Sequence, residues 1–105
     1  MNDYFIYDSR LKIKIPKLTK PWELYSGYIQ NSILTEWEKI RGGIPDRIAE
    51  LEHEINRKQN ELNLEEDFPH SCKLNEEISE LASIINDLWI WFRTTQYISI
   101  EKVHN

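Results

Sequence analysis

The feature that most restricts this chain is a pair of matching apolar spacings on either side of one proline. Ile44, Ile48, Leu51, Ile55, Lys58 and Leu62 follow one another at intervals of 4, 3, 4, 3 and 4 residues, and Leu74, Ile78, Leu81, Ile85, Leu88 and Phe92 repeat the same intervals. Alternating threes and fours keeps side chains on one stripe of an α-helix, the seam of a heptad pattern. Lys58 is the one polar occupant of either seam. Between the two lies Pro69, which lacks an N–H and crowds the preceding turn, so one straight helix through it is excluded. Two helices joined by a short connection pack as antiparallel neighbours. At 1.5 Å per residue, helices of about 20–24 residues are about 30–36 Å long. The expectation is a long antiparallel, coiled-coil-like helical hairpin over 44–95. Pro45 and Asp46 would open its first helix, and Ser71 would cap the second.

A third apolar stripe precedes the hairpin. Trp22, Tyr25, Ile29, Ile33, Trp37 and Ile40 are spaced by 3, 4, 4, 4 and 3, which predicts a helix over 21–43. Pro21 suits its first turn, and Gly42-Gly43 would end it through the left-handed conformation that glycine adopts freely. Gly27 would lie inside it, at a cost of about 1 kcal/mol relative to Ala. The ends of the chain read differently. Leu11, Ile13 and Ile15 alternate with Lys12 and Lys14, a period-two pattern that predicts a half-buried strand ending at Pro16. Tyr4-Phe5-Ile6-Tyr7 is strand-like, and Asp8-Ser9 could turn it back as a hairpin. Tyr97 to Glu101 is strand-like as well. A two-stranded ribbon is marginal alone in water, so these segments must pack on the helices. The fold class expected is therefore mainly α, three helices with short terminal strands. It would form a single domain over 1–105, with a strand-forming segment at 1–20 and a strand or tail at 96–105.

The hairpin segment is similar to the antiparallel coiled-coil hairpins appended to some ATP-binding-cassette proteins of the translation-factor type. The similarity rests on a proline-led first helix with Ile48-Ala49-Glu50-Leu51-Glu52, an acidic tip bearing Phe68, and a returning helix with Ile78, Leu81 and Ile85. The chain has no Gly-rich phosphate-binding loop, so the likeness concerns the hairpin and implies no ATPase.

Composition narrows the function classes. Leu, Ile, Val and Phe make up 29 of 105 residues, above the roughly one-fifth below which chains stay disordered, so a core is expected. No apolar run approaches the roughly 18–20 residues of a membrane span, and the first residues lack the basic and apolar regions of a signal peptide. The single cysteine, Cys72, cannot form an internal disulfide, which fits a reducing compartment. The expected location is the cytoplasm. A net charge of −5 argues against direct nucleic-acid binding, which needs clustered Lys and Arg. Charge is nonetheless uneven: residues 1–20 sum to +3 and residues 45–67 to −5. The two blocks either mark separate surfaces or lie together and partly neutralise each other.

Few residues form a grammar for chemistry. His70 and Cys72 stand two apart behind Glu65, Glu66 and Asp67, but structural zinc sites take four ligands in paired spacings, and there is no second cysteine. A Cys72 nucleophile would sit among acids that disfavour a thiolate, with no oxyanion-stabilising constellation. The carboxylates Glu50, Glu54, Glu65, Glu66, Glu76, Glu77 and Glu80 read as solvated faces, with Glu54 and Lys58 as an i,i+4 pair. The expectation is a chain that is not an enzyme and needs no metal or cofactor.

The run Trp89-Ile90-Trp91-Phe92 remains. Successive helical positions lie about 100° apart, so burying all four takes more than one neighbour. A chain of this size leaves apolar surface over. The candidate interface therefore combines Trp89 and Trp91 with Tyr25, Tyr28 and Leu34 of the first helix. The function expected is that of a small non-catalytic interaction or regulatory protein acting through its hairpin and aromatic patch. It would have a protein partner and most simply form a homodimer. The alternatives are an acidic inhibitor of a basic, for example nucleic-acid-handling, protein and, less favoured, a Cys/His metal protein or enzyme.

Overall fold

The computed structural model describes residues 4–94. The chain is mainly helical. Strands β1 (Phe5–Asp8) and β2 (Ile13–Pro16) lead through a short 3-10 turn at Trp22–Leu24 into α1 (Gly27–Gly42), α2 (Ile44–Leu64) and α3 (Phe68–Phe92). The strand expected over 97–101 lies outside the described residues.

The helices α1 and α2 are one long bent helix over 27–64. Gly43 between them was expected to take the left-handed conformation and end the first helix. Instead it is right-handed, with φ −88° and ψ −8°. Its N–H donates to Ile40 O at 3.1 Å and its own carbonyl accepts from Arg47 N at 3.2 Å, so helical hydrogen bonding passes through it. The bend has a covalent cause two residues on. Pro45 has no N–H to offer the carbonyl four residues back, and its ring crowds that turn.

Two helix starts also differ from expectation. The first helix begins at Gly27, not at Pro21, because Ser26 is the stronger cap: its hydroxyl accepts from Ile29 N at 3.2 Å. Trp22 and Tyr25 are three apart, a spacing that a 3-10 turn satisfies as well as an α-helix does. Gly27 thus stands at the helix start and not inside it. In α3 the cap is Asp67, not Ser71. Its carboxylate accepts from His70 N at 3.1 Å, with Pro69 inside the first turn. There the missing N–H of proline costs nothing.

The ribbon pairs Phe5 with Pro16 and Asp8 with Ile13 in antiparallel register. Strand β2 starts two residues later than the Leu11–Ile15 alternation predicts. Asp8 Oδ1 accepts from both Arg10 N and Leu11 N, a turn-forming arrangement typical of Asp. Lys12 then takes a positive φ of 62°. Leu11 is consequently a loop residue, yet it is buried in the core.

That core is lopsided. Trp37 is fully buried, stacked near Phe5 and edge-on to Trp91. Around it pack Leu11, Ile33, Ile44, Ile48 and Leu88. Toward the α2–α3 turn the cover thins: Ile44, Ile48 and Leu51 are buried, but Ile55, Lys58 and Leu62 are only half-buried. On α3 the predicted seam holds Leu74 and Leu88 in full burial. Ile84, one position off it, is also buried, while Leu81 and Ile85 are half-buried. The displacement follows from α3 meeting α1, through Trp91 on Trp37, and the turn between the strands, through Arg10, as well as α2. The body measures 59 × 22 × 20 Å.

Candidate functional site

Two places on the surface gather side chains that could act on something outside the chain, one at each end of α3. At its C-terminal end, Trp89 and Ile90 are 39% and 49% exposed. The Trp89 indole meets the Phe92 ring edge-on at a centroid distance of 5.5 Å. The Arg41 guanidinium lies over the Phe92 ring, 4.8 Å from its centroid, and also donates to Phe92 O at 3.2 Å. Arg41 thereby ties the end of α3 to α1. Trp91 is half-buried against Trp37. The aromatic run at this helix end was expected to leave a patch containing Trp89 or Trp91 exposed. The structure covers the Trp91 side and leaves Trp89 and Ile90 open.

The other predicted interface residues separate. Tyr25 is in the core, its hydroxyl accepting from Thr19 N at 3.1 Å and Lys20 N at 3.2 Å, so it adds nothing to the surface. Leu34 is half-buried. Tyr28 is 80% exposed and lines a shallow depression on α1 with Asn31, Thr35 and Lys39. Ile90, exposed beside Trp89, was not among the candidate interface residues. Its signal was its place in the 89–92 run, which the four apolar side chains together obscured.

At the other end, where α2 turns into α3, Leu64 and Phe68 are both well exposed. Between them, three side chains converge. His70 Nδ1 lies 2.6 Å from Glu65 Oε1, and His70 Nε2 lies 3.6 Å from Glu61 Oε2. Helix geometry sets this up: Glu61 stands in the last turn of α2, Glu65 is its C-terminal cap residue, and His70 stands in the first turn of α3. The Asp67 N–H donates to Glu65 at 3.0 Å and, with His70 beside it, holds the Glu65 carboxyl below its ordinary value. Cys72, paired with His70 in the sequence reading, is an exposed free thiol outside this group. A spacing of two on a helix turns side chains by about 200°. The partners of His70 are instead Glu65 and Glu61, five and nine residues back along the chain across the turn.

Ion pairs across the body also depart from the charge reading. Glu54 was expected to pair with Lys58. It pairs with Arg57, while Lys58 crosses to Glu77 on α3 at 2.9 Å. Among the described residues, the basic N-terminal segment makes no salt bridge to the acidic block at 45–67. Arg10 goes to α3, at 3.0 Å from Glu80 and 2.7 Å from Asp87, with a further bond to Ser83.

No helix among the described residues is long and apolar enough to cross a membrane. Comparison with protein-family models, with curated proteins and with solved structures gives no match.

Proposed function

We propose that this chain is a non-catalytic cytoplasmic interaction protein. In this reading α2 and α3 act as an antiparallel, coiled-coil-like hairpin, and α1 with the ribbon serves as its base. The chain meets a second copy of itself through the open end of α3. The observation that carries this is the exposure of Trp89 and Ile90 as neighbours, beside Phe92. Tryptophan is enriched where binding energy concentrates, and a two-fold contact lets one patch serve both partners.

Sedimentation velocity at micromolar concentration tests it. The expected species has twice the 12.7 kDa chain mass, and Trp89→Glu returns it to one chain. A wild-type monomer at 12.7 kDa removes the dimer. The reading as an acidic inhibitor of a basic protein draws less support, because Arg47 and Arg57 pair with Glu50 and Glu54 on the same helix and reduce the field such an inhibitor would use.

A further inference from the structure

We propose that His70 and Glu61, oriented by Glu65, bind a divalent cation of the zinc class at the turn between α2 and α3. The inference goes beyond the interaction reading and does not depend on it.

The argument starts from the imidazole. A neutral ring carries one N–H and one lone pair. At 2.6 Å, Nδ1 is the nitrogen that donates to the Glu65 carboxylate. In the neutral ring, Nε2 then presents its lone pair toward another acceptor, Glu61 Oε2, 3.6 Å away. That separation is too long for a hydrogen bond. Two ligand atoms about 2.0–2.2 Å from a tetrahedral ion stand about 3.3–3.6 Å apart, so the gap has the span that a zinc ion between them would require. The Nδ1 side matches as well. A metal-bound histidine characteristically donates its other N–H to a carboxylate, which fixes the tautomer and ring orientation. Glu65 occupies that position, and the Asp67 N–H keeps it in place from the far side.

The donor set is one imidazole nitrogen and one carboxylate oxygen, a combination suited to zinc and neighbouring first-row divalent ions. One ligand atom each from Glu61, Glu65 and His70, in the last turn of α2, the connecting residues and the start of α3, lie within 4.8 Å of one another. Glu66 and Asp67 add negative charge in the same turn. Lys58 is engaged with Glu77 on α3. With two protein ligands and water completing the shell, binding is expected in the micromolar range. The ion would staple α2 to α3 at the turn.

Isothermal titration of zinc chloride into the full chain near neutral pH, in a buffer that does not chelate zinc, tests the assignment. One saturable site per chain is expected. His70→Ala should abolish it, and Glu61→Gln and Glu65→Gln should each weaken it by about tenfold or more. Cys72→Ser should leave it unchanged. Circular dichroism of each variant checks that the helices persist. In parallel, the His70 Nε2 resonance should shift on adding zinc while Nδ1 remains protonated. No saturable uptake up to about 1 mM zinc overturns the proposal, as does uptake that survives His70→Ala. Loss of binding in Cys72→Ser overturns the donor set, because it transfers the site to the thiol.

Discussion

Lys58 Nζ reaches across the contact between α2 and α3 and donates to Glu77 Oε1 at 2.9 Å, with the lysine side chain 17% exposed and the glutamate 36%. Lys58 is the polar occupant of an otherwise apolar seam, and its partner is on the facing helix. A polar residue in such a position fixes which turn of one helix faces which turn of the other, at a cost in stability.

The pair makes stability depend on acidity. The hydrogen bond from Lys58 holds the Glu77 carboxyl below its ordinary value of 4.5. The unfolded chain therefore takes up this proton at a higher pH than the folded one. The contribution is complete above the ordinary carboxylate range and is lost as pH falls through the depressed folded value. Urea midpoints at pH 7 and near pH 3 should differ more for the wild type than for Lys58→Met. Equal losses in the two proteins would show that the pair contributes nothing.

Gly43→Ala should stabilise the protein by about 0.4–1 kcal/mol. Gly43 is right-handed, and an added Cβ would meet only Ile40 O at 3.6 Å, an ordinary contact. A left-handed cap would give the opposite sign, so thermal denaturation of this one variant distinguishes a continuous bent helix from two separate ones.

Trp37→Ala should cost about 3–5 kcal/mol, because Trp37 is fully buried between Phe5 and Trp91. Chemical denaturation measures it. A loss under about 1 kcal/mol would place the centre of the core elsewhere.

Cys72→Ser should leave stability within about 1 kcal/mol, since the thiol is exposed and carries no packing. A larger loss in thermal melting under reducing conditions would mean that the residue is held by contacts at the turn.

The helical character of the chain was legible because spacing encodes it. Ile44, Ile48 and Leu51 occupy the stripe that their intervals predict, and Leu74 and Leu88 do so on the facing helix. Helix boundaries were less legible because neighbouring signals compete. Pro69 reads equally as a breaker or as a first-turn residue, and the Asp67 cap decides it. Gly43 reads as a stop until Pro45 is weighed, and proline bends the helix without ending it. The turn cluster was hidden for a different reason. Glu61 and His70 belong to different helices, and only the chain reversal brings them together, whereas the adjacent His70 and Cys72 suggest a pair that helical rotation separates. Side-chain cover at the end of α3 was the least legible, because apolar residues on every face state a demand for burial without naming which face goes unmet.

The uneven placement of the core has a consequence for how the chain opens. Full burial around Trp37, Ile44, Ile48 and Leu88 is concentrated at one end of a 59 Å body, while the residues approaching the α2–α3 turn are mostly half-buried, with Leu74 the exception. Opening free energies follow local burial. Amide hydrogens in 55–80 should therefore exchange with solvent through partial fraying that starts at the turn, while those in 33–51 and 84–88 exchange only when the whole chain unfolds. One end of the molecule is a clamped base, and the other is a pair of helix ends that can part and close again without disturbing it.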